Sequence, residues 1–358
     1  MKLIHVADLH IGSKFSRITD ETKKKELDAA LNNSFKRVVD YANDNDIQTI
    51  LLSGDVFDKD SVLKGDKEYF YNIIKSNPNI DFYYIKGNHD IKSKYVEGVD
   101  NLHTFDDNEK IQGYLIKENN VLISGYELND RNNSTLYDMP PFTKDNYNIF
   151  LLHGDISKKS GKDSINIDKL IEKNIDYLAL GHIHKGYFGK AGINMNYVYP
   201  GCLMGRGFDE TGKKGFYVIN TDTRKFDFVV LPNRIFQVEA VNVTNVDNNY
   251  DLIKQINSLI KGNQDMLLQI VLEGTLNFEL NIDLIKEDTL RHFYFVDIKN
   301  STKLSITQYD EIDERSLKGM FIKLIKEDKT LDDSTKERVL RYGLSKINKG
   351  EAWKYETN

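Results

Sequence analysis

Short apolar runs alternate with amphipathic stretches over the first 230 residues of the chain. Runs rich in β-forming residues predict strands at 2–6, 49–52 and 82–85. Apolar residues at helical spacing predict helices that include 27–42 and 66–75. Three more runs predict strands that reach a glycine within two residues; they cover 121–124, 149–152 and 177–180. Strands that alternate with helices favour an α/β layered architecture.

The pattern changes near Leu231 and Pro232. Beyond them a strand, a helix and two more strands predict a small α+β domain; they cover 236–243, 250–260, 266–272 and 293–298. Apolar residues on one helical stripe then predict a helix in the C-terminal segment: Leu317, Met320, Phe321, Leu324 and Ile325. We therefore expect three parts, with bounds 1–232, 233–305 and 306–358.

Composition narrows the class of protein. A length of 358 residues is typical of two or three domains, and 40% hydrophobic with 29% charged residues is ordinary for a globular chain. Cys202 is the only cysteine, which excludes an intrachain disulfide and a Cys-rich zinc site and fits a reducing, cytoplasmic setting. No apolar run approaches the length of a membrane span. The net charge of −6 disfavours nucleic-acid binding by bulk charge alone but allows a local basic groove.

Five of the eight histidines fall in short polar strings at the predicted strand ends, and a further Gly-Asp pair ends another strand. The strings are Asp8-Leu9-His10, Gly54-Asp55, Gly87-Asn88-His89-Asp90, His153-Gly154-Asp155 and Gly181-His182-Ile183-His184. Ligands of open α/β sheets bind beyond the carboxyl ends of the strands. The strings therefore predict one functional site at that edge.

The spacing within two strings favours convergence on a metal. If the extended chain continues past Val6, alternation places Asp8 and His10 on one face, and the same holds for His182 and His184. Nitrogen and oxygen ligands without thiolate suit manganese, iron or zinc. The strings offer seven such ligands, named below, which are too many for one ion but fit two ions that share a carboxylate. Two ions can clamp the attacking and leaving oxygens of a phosphoryl displacement.

In this order the strings resemble those of the calcineurin-like metallophosphoesterases, and most closely the SbcD-type DNA repair exonucleases. The similar segments are residues 4–12, 53–58, 180–185 and 199–201, so the motif resemblance covers residues 1–232. It implies a four-layer α/β/β/α sandwich with a small α+β capping domain and C-terminal helices. Periodicity alone predicts a single doubly wound sheet.

The resemblance also implies a role for each residue of the strings. One metal would be held by Asp8, His10, Asp55 and His184. The other would be held by Asp55, Asn88, His153 and His182, with Asp55 bridging. His89 would protonate the leaving oxygen or stabilise the transition state, and Asp90 would orient His89. Manganese is the expected ion, with magnesium, iron and zinc as alternatives.

As a function the resemblance implies a manganese-dependent 3′-to-5′ exonuclease on duplex DNA ends, with single-strand endonuclease activity as an addition. The partner would be an ABC-type coiled-coil ATPase of the SbcC type, bound through the stripe from Leu317 to Ile325. The chain would act in the cytoplasm in DNA repair and recombination. Homodimerisation is common in the family, but the sequence carries no signal for it.

One position departs from the family pattern. Many nucleases of this branch carry a histidine where this chain has Asp58, and a carboxylate beside a phosphodiester must act differently, by orienting a neighbour or a metal-bound water. Gly-Asp-x-x-Asp also occurs in phosphatase branches, although Lys59 follows here where protein phosphatases usually have arginine. A phosphoesterase acting on small phosphodiesters or phosphoproteins is therefore the alternative, and a non-enzymatic scaffold ranks last.

Basic residues beside the strings are candidates for contacts with DNA phosphates. They are Lys92, Lys94, Lys158, Lys159 and Arg206. Each alone is more often a solvated surface charge, and only their position next to the strings distinguishes them from other lysines and arginines.

Overall fold

The computed structural model of the chain describes residues 1–59, 61–90, 98–105, 110–128, 134–157, 161, 163–276, 278–304 and 315–348. Contacts between Cα atoms divide the chain into two compact units, Met1–Phe236 and Gln237–Asn358. Each unit has an apolar core of its own. Among the described helices, none combines the length and the hydropathy needed to cross a bilayer.

The first unit is built from strands with helices between some of them. The strands are β1 Lys2–Val6, β2 Thr49–Ser53, β3 Asp81–Ile85, β4 Leu102–Thr104, β5 Gln112–Ile116, β6 Val121–Gly125, β7 Tyr147–His153, β8 Tyr177–Gly181, β9 Tyr187–Ala191, β10 Met195–Tyr199, β11 Gly215–Asn220 and β12 Lys225–Val230. The helices are α1 Glu21–Asp44, α2 Lys64–Lys75 and α3 Ser134–Asp138, with 3₁₀ turns at Lys117–Asn119 and Ile167–Lys173. The six predicted strands and both predicted helices are confirmed. The sequence pattern missed β4, β5 and β9 to β12.

These strands form two six-stranded sheets, with the orders β12-β11-β1-β2-β3-β4 and β5-β6-β7-β8-β10-β9. The strands β1 to β4 pair in parallel in the first sheet, as do β6, β7, β8 and β10 in the second. The single sheet that periodicity predicts is therefore wrong, and the sandwich implied by the resemblance is confirmed. Parallel pairing places the carboxyl ends of neighbouring strands at one edge of each sheet.

Burial on both faces of the central strands explains the layers. In β2, Leu51 belongs to the core between the two sheets, whereas Ile50 and Leu52 pack toward α1 and α2. The outer face of the second sheet has a third core that includes Phe150 and Leu178. Because successive side chains of a strand point to opposite faces, a strand with no exposed face reads as a continuous apolar run. The result is an α/β/β/α sandwich.

The second unit is an α+β structure followed by two helices. Its elements are β13 Ile235–Asn242, α4 Asn249–Leu259, β14 Asn263–Glu273, β15 Thr275–Leu276, α5 Ile282–Leu290, β16 Phe293–Asn300, β17 Lys303–Leu304, α6 Leu317–Glu327 and α7 Asp333–Asn348. The order β13-β14-β16 makes one sheet, and β15 pairs with β17. Helix α4 begins where the side chain of Asn248 accepts hydrogen bonds from the backbone N–H groups of Tyr250 and Asp251, an ordinary N-cap.

Candidate metal centre

The polar strings follow strands of both sheets. Asp8 and His10 follow β1, Asp55 follows β2, and Asn88 follows β3 in the first sheet. In the second sheet His153 is the last residue of β7, and His182 and His184 follow β8. The two sheets pack face to face, so their carboxyl-end loops meet. The structure brings all seven predicted ligands to this edge, six of them in two groups of three and Asp55 between the groups.

The backbone at this edge is strained. Asp8, His10, Asp55 and His182 have φ angles of 51°, 46°, 50° and 101°, a region that non-glycine residues rarely adopt. Such conformations cost about 1–3 kcal/mol each and cluster at functional sites. Strand β1 ends at Val6, so the extended continuation assumed for Asp8 and His10 is wrong. Left-handed turns, rather than strand alternation, aim both side chains inward.

Two glycines allow the loops of the two sheets to approach one another. A Cβ atom on Gly54, which has a φ of +85°, would collide with the imidazole of His153. A Cβ atom on Gly181 would collide with the backbone oxygen of Ser53. Glycine is therefore required at these positions by close packing, and at Gly54 also by the backbone conformation.

The first group of possible metal-ligand donors contains Asp8, His10 and His184, whose ligand atoms lie within 4.8 Å of one another. Nε2 of His10 lies 3.0 Å from Nε2 of His184. Both carboxylate oxygens of Asp8 accept the backbone N–H of His182, at 2.9 and 3.1 Å. Burial raises the pKa of Asp8 to about 6 and lowers that of His10 to about 2. This group therefore brings a buried carboxylate and a buried imidazole, those of Asp8 and His10, together with the partly exposed imidazole of His184.

The second group contains Asn88, His153 and His182. His153 directs Nδ1 to the backbone oxygen of Ser53 at 2.9 Å, which leaves Nε2 facing Oδ1 of Asn88 at 3.1 Å. Nδ1 of His182 faces the same amide oxygen at 3.0 Å. A nitrogen lone pair that faces oxygen lone pairs needs a proton or a cation between them. The donor set therefore fits a divalent metal.

Asp55 lies between the two groups. Its Oδ2 is 3.3 Å from Nε2 of His153 and 3.8 Å from Nε2 of His10. Burial alone would raise the pKa of Asp55, but the facing imidazole of His153 holds it well below its usual range. Burial alone would lower the pKa of His153, yet the carboxylate of Asp55 raises it to about 9. One carboxylate thus faces donors of both groups.

His89 stands at the open side of the site. Its side chain is 34% exposed, whereas that of His10 is 1% exposed. Nδ1 of His89 lies 3.3 Å from Oδ1 of Asp58, and Ser61 donates its hydroxyl to Oδ2 of the same carboxylate at 2.6 Å. The facing Asp58 raises the pKa of His89 although burial opposes this, and the pKa of Asp58 is held well below its usual range. The pair favours a protonated imidazole at the entrance.

Asp90 occupies a different place from the one that the resemblance implies. Its carboxylate is buried and accepts backbone N–H groups of Val56, Phe57 and Gly87, at 3.0, 2.9 and 3.2 Å. Asp90 therefore fastens the loop after β2 to the loop after β3. Among the described residues, the carboxylate that faces the His89 ring is that of Asp58 rather than Asp90. This difference depends on the tertiary structure, because both acids are close to the strings in sequence.

The candidate DNA-binding residues are only in part described. Lys92, Lys94, Lys158 and Lys159 lie outside the described residues. The side chain of Arg206 is 16% exposed and donates to the carboxylate of Glu210. Glu210 also lies 2.7 Å from Nδ1 of His184, a contact that sequence reasoning missed. The i, i+4 spacing of Arg206 and Glu210 in the sequence could have indicated their ion pair. No local pattern could have indicated the contact of this pair with His184.

The apolar stripe of α6 divides between two faces. Ile325 is buried and Phe321 is partly buried in a small core with Ile322 and Leu340, the latter from α7. Three other members of the predicted stripe are exposed: Leu317 at 43%, Met320 at 54% and Leu324 at 68%. Part of the stripe therefore packs within the unit, and the rest forms an exposed apolar face of α6.

The sequence matches a known family and a curated relative. A model of the calcineurin-like phosphoesterases matches residues 1–186, just over half of the 358-residue chain. The chain is 28% identical over 295 residues to the uncharacterized metallophosphoesterase YhaO of Bacillus subtilis (strain 168), covering 77% of this chain and 72% of YhaO.

Two solved structures are also similar. An archaeal phosphodiesterase has 15% identity and a TM-score of 0.32, covering 64% of this chain and 100% of its own. A dimetal phosphatase from Danio rerio has 10% identity and a TM-score of 0.40, covering 61% of this chain and 91% of its own. The match to the family over residues 1–186 is the decisive comparison. The chain belongs to the calcineurin-like phosphoesterase family.

Proposed function

We propose that this protein is a two-metal phosphodiesterase that cleaves DNA, as a manganese-dependent 3′-to-5′ exonuclease on duplex ends with added single-strand endonuclease activity. The position of Asp55 between two groups of metal-binding donors carries the two-metal part of this proposal. The segments similar to SbcD-type nucleases, among them residues 4–12 and 180–185, support DNA as the substrate.

In this proposal Asp8, His10, Asp55 and His184 hold one divalent ion, and Asp55, Asn88, His153 and His182 hold the other. Such ions, when bound, lower the pKa of a water molecule and stabilise the negative charge on the phosphoryl oxygens. The backbone partners of Asp8 and His153 fix the orientation of these two side chains.

His89 is the proposed general acid. Its partial exposure allows contact with a substrate, and its raised pKa favours the protonated ring needed to supply a proton to the leaving oxygen. Asp58 is the proposed positioning residue for that ring. Catalytic hydrogen bonds are often long before a substrate binds, which accommodates the 3.3 Å separation of the pair.

A second candidate is hydrolysis of small phosphodiesters or phosphoproteins, for which the same centre would serve. The observation that favours it is Asp58 itself, because the pattern Gly-Asp-x-x-Asp also occurs in phosphatase branches, whereas many related nucleases have a histidine at this position. Competition separates the candidates: linear duplex DNA should inhibit hydrolysis of a chromogenic phosphodiester, with strong salt dependence, only if DNA is the substrate.

The direct test is digestion of end-labelled linear duplex DNA with manganese by the wild type and by His89→Ala. We expect nucleotide release by the wild type and a loss of about 10²–10⁴-fold in the variant, with both ions retained. If the wild type cleaves only a small phosphodiester, the second candidate replaces the first. If His89→Ala loses metal, His89 is a ligand and its assignment as the acid is wrong.

For the partner we propose that the exposed face of α6 binds an ABC-type coiled-coil ATPase. Leu317, Met320 and Leu324 present the apolar surface that such a contact needs. Leu324→Glu should abolish co-purification with a co-expressed SbcC-type ATPase while preserving phosphodiester hydrolysis. Lys318→Glu, on the same helix, is the control for added charge. Equal co-purification of both variants with the ATPase would disprove the role of this face.

A further inference from the structure

The loop after β10, residues 201–214, holds His184 at two places. The backbone oxygen of His184 accepts the backbone N–H of Cys202 at 3.3 Å and the ammonium of Lys214 at 3.2 Å. The ring is held separately, because Nδ1 lies 2.7 Å from Oε1 of Glu210. His153, by comparison, directs Nδ1 to a backbone oxygen, that of Ser53. The carboxylate oxygen nearest to Nδ1 of His153 is Oδ1 of Asp8, at 4.0 Å, so the close carboxylate contact at Nδ1 distinguishes His184 from His153.

Glu210 is itself held firmly. Its side chain is 8% exposed, and Arg206 donates its backbone N–H and Nε to Oε2, at 2.9 and 3.1 Å. Nη2 of Arg206 also donates to Oε1. The thiol of Cys202 lies 3.8 Å from Oε2. A carboxylate that accepts this many hydrogen bonds is held in one orientation, so it can fix the orientation of the imidazole that it contacts.

The contacts of Nδ1 select one tautomer of His184. Nη2 of Arg206 lies 3.0 Å from Nδ1 and can only donate, so this contact alone would suit a lone pair on Nδ1, but the contact with Oε1 of Glu210 is shorter. If Nδ1 lacked a proton, its lone pair would face Oε1 of Glu210 at 2.7 Å and repel it. If Nδ1 carries the proton, it and Nη2 both donate to Oε1, which has two lone pairs. The second arrangement removes this repulsion and leaves the lone pair of His184 on Nε2.

We propose that Glu210, locked by Arg206, is a positioning residue that fixes His184 as the Nδ1–H tautomer and turns Nε2 toward Asp8 and His10. The inference rests on the proposed metal role of His184. Carboxylates behind histidine ligands typically change metal affinity 10- to 100-fold. The side-chain hydrogen bonds of Glu210 among the described residues go to His184, Arg206 and Cys202, so its effect is confined to the Asp8, His10 and His184 group.

Calorimetric titration of the metal-free, full-length protein with Mn²⁺ measures whether the loss of Glu210 weakens the binding of one ion or of both. Glu210→Ala should weaken one of two binding events by about 10- to 100-fold and leave the other unchanged. Glu210→Gln, which keeps one acceptor oxygen but turns an amide toward Arg206, should show a smaller loss. Asp176→Asn is the matched control, because Asp176 pairs with Arg224 at 2.6 Å at the opposite end of β8. Two unchanged binding events in both Glu210 variants would overturn the inference.

Long-range ¹H–¹⁵N NMR of the metal-free wild type reads the tautomer directly and does not depend on any Glu210 variant. The signal of His184, assigned by comparison with His184→Gln, should be that of the Nδ1–H form. The Nε2–H form in the wild type would overturn the inference. Calorimetry of His184→Ala separates the two levels of the argument. If that variant binds two ions, the metal role of His184 fails; if it binds one while Glu210→Ala binds two as tightly as wild type, only the role of Glu210 fails.

Discussion

The strand-end edge of the first unit and the core of the second unit bury very different side chains. At the edge Asp8, His10, Asp55, Asp90 and His153 are all buried. In the described part of residues 237–358, the buried polar side chains are two threonines, Thr289 and Thr302, and no charged side chain is buried. Burying charge is costly unless a partner compensates it. The edge of the first unit therefore contains buried charges that core packing alone does not require, whereas the described core of the second unit contains none.

The largest effect should come from removing the carboxylate shared by both donor groups. Asp55→Asn keeps the size of the side chain but removes the charge that faces His153 and His10. We expect loss of both ions in metal analysis and loss of hydrolysis to the background rate, because neither group retains its common ligand. Asp176→Asn is again the control. Retention of one ion by Asp55→Asn would show that Asp55 does not bridge.

A core substitution in the second unit should lower the stability of that unit without changing hydrolysis. Ile270 is fully buried in β14, and Ile270→Ala should cost about 2–5 kcal/mol of stability through the cavity it leaves. Hydrogen exchange of the amides in residues 237–304 should accelerate, while hydrolysis of a small chromogenic phosphodiester stays unchanged. Ile149→Ala, between the two sheets of the first unit, is the matched control and should reduce that hydrolysis under mild denaturant. Equal loss of hydrolysis in both variants would contradict the contrast between the regions.

Replacing the partner of His89 should have an intermediate effect. Asp58→Asn removes the charge that raises the pKa of His89, so the ring is protonated over a narrower range of pH. We expect kcat to fall about 10²-fold, the low end of a general acid's contribution, and its basic limb to move to lower pH. Metal content should stay at two ions. An unchanged pH profile would remove Asp58 from the positioning role.

The smallest effect should come from a buried histidine outside the donor groups. Nδ1 of His5 lies 3.0 Å from the hydroxyl of Tyr177, and Nε2 lies 3.0 Å from that of Ser53. Burial lowers the pKa of His5 from 6.5 to about 3. Between these two values the unfolded chain binds a proton that the folded chain does not, so stability falls as the pH drops below 6.5.

The loss attributable to His5 should be about 2 kcal/mol at pH 5 relative to pH 7.5. Urea unfolding in the presence of a chelator, at both pH values, measures it in the wild type and in His5→Gln, which should lack this part of the pH dependence. His103→Gln, in a partly exposed position, is the control. The same pH dependence in wild type and His5→Gln would assign the acid sensitivity to other groups.

The sequence by itself determined the central strands, the points where they end, and the polar residues that follow them. These are local properties of the sequence. An apolar run of the length of a strand predicts the strand, and a glycine or histidine directly after the run marks its end. Periodicity did not separate one sheet from two, because β2 and β7 are buried on both faces in either arrangement. The resemblance of the strings to a family supplied the sandwich.

Only the tertiary structure decided which side chains meet. His10 and His184 face each other across 174 residues of sequence, and no local pattern specifies that pair. Asp58 and Asp90 both lie near the strings, yet Asp58 faces His89 while Asp90 binds backbone N–H groups. Glu210 acquires its contact with His184 because the loop after β10 packs against the segment that follows β8. Local sequence fixes the chemistry of a side chain, whereas packing over long separations fixes its partner.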